Sequence, residues 1–330
     1  MPRWESWRHC LAAAAFTVIL AATGSFAQAQ TYPARPITLV VPLPPGGTTD
    51  IFSRLVAEKM AALLGQPVVV ENRALGGSGT VATRAVAKGA PDGYTIVLGY
   101  TTTLATGPTM VPTAGYDVRK DFAPLGLIAT APALLLANAG VPAKTIQDVI
   151  ALIKSAKEPY QIGLPSVGSV SHLAAEMFVR QAGLKVQFIP YKASQPLTTD
   201  LIAGHVKLGF NPIPVSRGAI EGGLVRAIAG TSVKRSSIFP DLPTIAEAGL
   251  TGVDAVLSYG LLAPGGTPQP IVDRLNQSLR ATLAMDDVKQ RLALEGADPA
   301  PTTPAEHAAV IDREEAKFSA LIKELGLKPQ

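Results

Sequence analysis

The 330-residue chain has a single cysteine, Cys10. Beyond it there is no disulfide, no thiolate metal ligand and no cysteine nucleophile to build a function on. Cys10 also precedes the apolar core of the leader instead of following it, which removes a lipid-anchoring role. Aromatic residues are scarce at 5%, and no run of Lys or Arg is interleaved with them. A pI of about 9.1 therefore does not indicate a nucleic-acid reader. The histidines beyond the leader, His172, His205 and His307, are scattered without ligand spacing, so no metal site and no cofactor are expected. Charged residues make up only 16% against 47% apolar, which excludes a disordered chain. No repeat of 20–50 residues is evident.

What is present begins with an export leader. Arg3 and Arg8 precede the uncharged apolar stretch Leu11 to Gly24, and Ala27-Gln28-Ala29 has the small-x-small pattern of a cleavage site after Ala29. The apolar stretch falls short of the ~20 residues of a membrane span, and no later one is long enough. Residues 1–29 are thus expected to be removed, leaving an exported periplasmic protein. Losing Arg3, Arg8 and Glu5 takes the formal charge from +4 to +3, a mild positive balance that aids the approach of anionic solutes.

The mature chain alternates short β-branched runs with runs of helical period, punctuated by 30 Gly and 28 Pro. Ile37 to Val41 reads as a buried strand, and Ile51, Phe52, Leu55, Val56, Met60, Leu63 and Leu64 as a helix. Strands follow at Pro67 to Glu71 and Tyr94 to Gly99, with a helix over Thr80 to Lys88 between them. The pattern restarts with a strand at Ala133 to Asn138, a helix at Ile146 to Lys157 and short strands at Gln161, Val186, Val206 and Val225. Helices at Pro268 to Leu283 and Pro304 to Leu325 close the chain. This order predicts an α/β protein of two lobes, each a mainly parallel sheet flanked by helices. Lobe 1 is expected over 30–130 plus 256–330 and lobe 2 over 131–255, with bends at Ile128–Ala133 and Leu257–Ala263 and a cleft between the lobes.

Three strand-to-helix loops carry the candidate chemistry: Pro44 to Asp50, Leu75 to Thr80 and Ser166 to His172. Each combines glycines, which permit close backbone approach, with hydroxyls that cap helices or donate to a ligand. None contains Lys or Arg, so a carboxylate held there would be met by backbone amides, hydroxyls and helix dipoles. The first loop lacks the lysine of a phosphate-binding P-loop. The second matches a dinucleotide fingerprint formally, as Gly77-x-Gly79-x-x-Ala82, but no acidic residue follows the next strand to hold a ribose. Ser169 and His172, with Asp50, leave open an exported serine hydrolase, although no G-x-S-x-G elbow is present. His172 either closes a helical turn or faces the cleft. Asp50 either stabilises the helix start or receives a hydrogen bond from the ligand.

The ordered blocks "VVPLPPGGTTD", "VVVENRALGGSGT", "APDGYT", "KDFAPLGLIA", "SVSHLAAEMF", "IPYKASQPLTTDLIAGHV" and "FPDLPTIAEAGL" resemble the Bug family of periplasmic solute-binding proteins, the receptors of tripartite tricarboxylate transporters. The resemblance runs from about Tyr32 to the C-terminus. It implies the periplasmic-binding (Venus flytrap) fold, no catalysis, and a monomer that binds a small organic acid and delivers it to transporter membrane subunits. The solute classes it implies are di- or tricarboxylates, aromatic carboxylates and amino acids; a ligand-sensing role is the alternative. By the same resemblance the ligand is held by Pro45, Gly46, Gly47, Thr48, Thr49 and Asp50, by Gly77, Ser78, Gly79 and Thr80, and by Thr101. The opposite lobe is expected to add Ser166, Gly168, Ser169, His172, Tyr191, Ala193 and Asn211, with Pro212 and Pro214 lining the far side. The chain departs from the family pattern at Ala74-Leu75, which lacks a proline, and at Ala193, where glycine is usual.

Overall fold

The computed structural model describes residues 32–111 and 113–327; the leader expected over 1–29, with Cys10 in it, lies outside the described residues. Contacts divide the chain after Ala34, and everything below concerns the unit from Arg35 onward. Among the described residues no helix is long and apolar enough to cross a membrane.

Strand β1, Ile37–Val41, is buried except at Thr38 and runs through the glycine loop into helix α1, Thr48–Leu64. The helical spacing has a direct result: Phe52, Val56, Met60 and Leu64 are all buried on one face. The helix stops at Gly65, whose φ of 70° lets its N–H return to the carbonyl of Ala61. Strands β2, Val68–Asn72, and β3, Thr95–Tyr100, pair in parallel on either side of β1, with α2, Thr80–Ala87, connecting them. After β3 the chain makes a wide π-helical turn, Thr102–Thr106, and the short helix α3, Gly107–Met110, neither foreshadowed by sequence periodicity.

The expected strand at Ala133 begins far earlier. Strand β4 runs Phe122–Asn138, and its first half contains Pro124, Gly126 and Pro132, which read as breakers in sequence. The structure absorbs them by shifting register between Pro124 and Gly126 and again between Leu127 and Ala129. That half of β4 pairs antiparallel with β9, Val256–Pro264, and the second half with β7, Leu208–Pro212, and β8, Val225–Gly230. The segments Ile128–Ala133 and Leu257–Ala263 therefore lie within paired strands.

In the second half, α4, Ile146–Ser155, precedes β5, Tyr160–Leu164, and α5, Val170–Gln181, precedes β6, Val186–Pro190. Helix α6, Ser194–Ala203, leads to β7, and α7, Ile213–Glu221, leads to β8. Pairs β5–β6 and β5–β7 are parallel, as the alternating pattern predicts, while β9 and β4 add antiparallel pairing. The path through the strands is β2-β1-β3-β9-β4-β7-β5-β6. Helices α8, Gln269–Ala284, α9, Asp286–Leu294, and α10, Pro304–Glu324, follow β9. The two-residue strand β10, Asp298–Pro299, pairs antiparallel with β4. Helix α9 buries only Val288 and Leu292, too few apolar positions to show a period in sequence.

The last helix serves both halves. It starts at a capping box in which Thr303 and Glu306 satisfy each other's backbone N–H groups. Its Ile311 packs with Val40, Val97 and Leu262, whereas Phe318, Leu321 and Ile322 pack with Leu135, Phe178 and Phe210. One turn before Ile311 lies His307, fully buried against β4 and β9. Its Nδ1 accepts the N–H of Gly126 at 3.2 Å, so in the neutral ring Nε2 carries the proton. Gly260 is required beneath it, because a Cβ there would stand 2.5 Å from the imidazole Cε1.

Burial pushes the His307 pKa down from 6.5 to about 3. As the pH falls through that window, the unfolded chain takes up a proton that the folded protein refuses, so stability drops by up to about 1.4 kcal/mol per pH unit. Urea unfolding from pH 7 to 4 should show wild type losing stability more steeply than His307→Asn, which keeps an acceptor for Gly126 but cannot titrate. Equal slopes in the two proteins would show that His307 is not held neutral.

Candidate functional site

The first loop delivers helix α1 with its amides open. The first intrahelical bond runs from Ile51 N–H to the Gly47 carbonyl, which leaves the amides of Thr48, Thr49 and Asp50 without a backbone acceptor. Gly47 occupies the capping position, and no side chain caps the turn. Three helices are capped by a side chain, Thr145 at α4, Ser169 at α5 and Thr303 at α10, each accepting a first-turn N–H, while α2, α6, α7, α8 and α9 share the uncapped start of α1. The open amides and the positive end of the α1 dipole make this turn the anion-attracting point of the fold.

Asp50 does not fill the gap. It turns away from the open end, accepting the Gly46 N–H at 3.0 Å and Arg54 Nε at 3.1 Å, while Arg54 Nη2 lies 3.0 Å from its other oxygen. Arg54 continues to Asn72 Oδ1 at 3.0 Å, and Asn72 donates to the Leu43 carbonyl at 3.1 Å. This chain of polar contacts ties the first loop to the end of β2. Burial opposes ionisation of Asp50, but hydrogen bonds from Arg54, Gly46 and Asn72 outweigh it and hold the carboxyl below its usual range.

The open turn faces a cavity of about 390 Å³. Its near side is Leu43, Pro44, Pro45, Gly47, Thr48 and Thr49; its floor is Tyr100, Leu257 and Tyr259; its far side is Ser194, Pro212 and Val215. No Lys, Arg, His, Asp or Glu lines it. The register of β3 on β9 sets Tyr100 opposite Tyr259, and their rings stack at 6.4 Å while Phe52 meets Tyr259 edge-on at 5.1 Å. Tyr100 donates its hydroxyl to the Ser78 carbonyl at 2.7 Å. The Tyr259 hydroxyl makes no hydrogen bond among the described residues, although the residue is only 4% exposed. The hydroxyl of Thr49, also 4% exposed, is likewise unpaired. Thr49 Oγ1 is sealed from solvent, whereas the Tyr259 hydroxyl is not and is open to hydrogen-bond an occupant of the cavity.

The second and third loops meet at a neighbouring cavity of about 350 Å³, lined by Ser78, Thr102, Thr106, Gly107, Met110, Val111, Ser166, Val167, Gly168 and Ser169. Gly79 has a φ of 88°, and an added Cβ would lie 3.1 Å from Pro42 Cβ and 3.3 Å from the Pro42 carbonyl, so the close approach requires glycine. The third loop is satisfied internally. Ser169 Oγ donates to the Ser166 carbonyl at 2.8 Å and accepts the His172 N–H at 3.2 Å, while His172 Nδ1 accepts the Gly168 N–H at 2.9 Å. The other ring nitrogen lies 3.5 Å from Glu176. The His172 ring thus closes its own turn and makes no hydrogen bond to the Ser169 hydroxyl, so the serine–histidine contact that a hydrolase needs is not formed.

Of the positions expected from sequence, Pro45, Gly47, Thr48 and Thr49 line the first cavity, and Ser78, Ser166, Gly168 and Ser169 the second. Gly46 and Asp50 lie behind the first, and Gly77, Gly79 and Thr80 shape the second loop. Thr101 is buried, accepts the Ser258 N–H at 2.8 Å and bonds Glu314, whose carboxyl is pushed above its usual range by burial. Tyr191 donates to Asp200 at 2.8 Å, Ala193 precedes α6, and Asn211 donates to the Ser194 carbonyl at 3.2 Å and Thr198 Oγ1 at 2.9 Å. Among the described residues no group of three His, Asp or Glu side chains could hold a metal. The sequence reading left out Tyr100, Ser194, Leu257 and Tyr259. Tyr100 could have been found as the last residue of a strand beside the second loop, but Tyr259 has no local signal.

The Asp50 contacts generate a stability prediction. Removing the charge in Asp50→Asn should cost roughly 1.5–3 kcal/mol at pH 7. The difference from wild type should be complete above pH 3.8, the ordinary aspartate value, and shrink as the pH falls below it. Urea titrations across that range check it; a pH-independent difference would mean that the Asp50 charge is not what stabilises the loop.

The profile of the tripartite tricarboxylate transporter family receptor, TctC, matches residues 52–327. Protein BugT of Bordetella pertussis is 36% identical over 301 residues, spanning 91% of this chain and 92% of that protein. Among solved structures, the periplasmic binding protein BugD has a TM-score of 0.75 and 34% identity, covering 91% of this chain and 100% of that one. Rpa4515 of R. palustris with adipate has a TM-score of 0.80 and 36% identity, covering 91% and 100%. The chain therefore belongs to the tripartite tricarboxylate transporter receptor family and has the α/β fold of the periplasmic binding proteins.

Proposed function

We propose that the protein is a periplasmic receptor that binds a small organic carboxylate at the start of α1 and presents it to the membrane subunits of a tripartite tricarboxylate-type transporter. The observation that carries this reading is the uncapped first turn of α1, opening into a cavity with no charged side chain in its wall. A carboxylate seated there takes the amides of Thr48 and Thr49, bonds of ~1.5–3 kcal/mol each when the acceptor is charged. The adipate-bound relative and the receptor family are consistent with this chemistry. Export rests on the leader over 1–29.

The cavity draws its walls from both parts of the chain that the sequence pattern separates. Gly47, Thr49, Tyr100 and Tyr259 belong to the part over 30–130 plus 256–330, and Ser194, Pro212 and Val215 to the part over 131–255. A ligand touching both favours the arrangement in which they approach each other, and only that differential contact can shift the population toward a closed form. The strands β4 and β9, which pass between the parts, are where bending would be absorbed. The closed form is what a membrane partner distinguishes from the empty receptor.

Gly47→Asp tests the seat of the carboxylate. The Gly47 Cβ position is open, with nothing within 4 Å, so the new side chain fits and can cap α1 itself. The free variant should be as stable as wild type or a few tenths of a kcal/mol more so, while its affinity for carboxylates falls at least ~10-fold, equal to ~1.4 kcal/mol. A thermal-shift screen of the mature protein against organic acids finds the ligand, since one at 100 times its Kd adds ~2.7 kcal/mol. Calorimetry then compares the variants. Unchanged affinity in Gly47→Asp would place the carboxylate elsewhere.

A further inference from the structure

On the reading that an acid binds at α1, we infer that its ligand is a monoanion: one ionised carboxylate on an apolar body whose far end carries a neutral hydrogen-bond acceptor, with Tyr259 as the residue that selects it. This narrows the ligand beyond the di- and tricarboxylates that the family's name suggests.

The cavity offers one anion seat. The open amides of α1 form it, no charged side chain lines the cavity, and Asp50 and Arg54 are paired with each other beneath the turn. Away from that seat the wall is Leu43, Pro212, Val215, Leu257, Tyr100 and Tyr259, with Ser194 adding a neutral hydroxyl. A second carboxylate lodged against these groups would be desolvated with no counter-charge, and an uncompensated buried ion is among the costliest arrangements in a protein. An alkyl or aromatic body would instead gain from the same surface. The volume of about 390 Å³ lies at the small end of ligand cavities, so charges at the two ends of a ligand could not both reach solvent with the site closed.

Tyr259 supplies the remaining preference. Its ring is fixed on two sides, by Phe52 and Tyr100, so its hydroxyl cannot swing freely in search of a partner. Tyr100 has the Ser78 carbonyl, whereas the Tyr259 hydroxyl has no hydrogen-bond partner among the described residues. One phenolic O–H is a single neutral donor. It satisfies a carbonyl, an amide or an ether oxygen in full but offsets only part of a carboxylate's charge, and a methyl end leaves it unpaired.

The test holds the frame constant and varies the end group. Calorimetric titrations of the mature protein would use a six-carbon chain, as hexanoate, its terminal carboxamide adipamate and the diacid adipate, and a ring series of benzoate, 4-carbamoylbenzoate and terephthalate. In at least one series the carboxamide should bind tightest, about 10-fold better than the methyl or hydrogen end, and the dianion weakest. Tyr259→Phe should lower affinity for the carboxamide to that of the plain acid and leave the plain acid unchanged or tighter, which a merely structural role for Tyr259 would not do. Tightest binding by a dianion, or by citrate, would overturn the inference while leaving the receptor reading intact, and so would a Tyr259→Phe variant that weakens all members equally. If no carboxylate of any class binds, the receptor reading itself falls and the inference with it.

Discussion

The start of α1 is left without a cap, and the rest of the site follows from that vacancy. A helix end whose amides find no acceptor is a local debt of several hydrogen bonds. Helices α4, α5 and α10 settle it with their own serine or threonine. Here the capping residue is Gly47, and the one carboxylate within reach, Asp50, is drawn off by Gly46 and Arg54. On the function proposed above, the anion that completes the turn is the ligand's carboxylate, and its affinity comes from backbone geometry, which cannot be lost by deprotonation.

Keeping that turn open demands rigidity around it. The polar chain Asp50–Arg54–Asn72–Leu43 fixes the first loop against β2, and the tight approach of Gly79 to Pro42 fixes the second. Behind the cavity, Thr101 and Ser258 hold the end of β3 to β9, and both bond the buried carboxyl of Glu314 on α10. The same helix packs Ile311 into one cluster and Phe318 into the other, so a single element braces both halves of the cleft wall. Strand β4 is long, carries Pro124 and Pro132, and shifts register twice against β9.

Periodicity and glycine loops made the strand–loop–helix units legible: β1 with α1, α2, β3, α4 and the terminal helix all fall within a few residues of expectation. The loop chemistry around Gly47 and Thr49 was legible for the same reason, since it is local. Breakers misled where tertiary pairing overrode them. Pro124, Gly126 and Pro132 hide the first half of β4, which exists because β9 and His307 accept its irregular backbone. The reading of His172 stayed open in sequence because a histidine three residues into a helix can face either way; its Nδ1 is taken up by Gly168.

By itself the sequence determined the local chemistry of the loops: glycine corners before helices and hydroxyls in place of cations, the groups that the proposed anion seat would use. Local composition suffices for that, because the groups that make the seat are neighbours in the chain. Only the tertiary structure decided what faces the seat. Tyr100 and Tyr259 lie 159 positions apart in sequence and are brought side by side by the antiparallel register of β3 on β9, while Ser194, Pro212 and Val215 arrive from another part of the sheet. Strand register is set by the summed fit of both partners' side chains across a whole sheet, which no short stretch of sequence encodes.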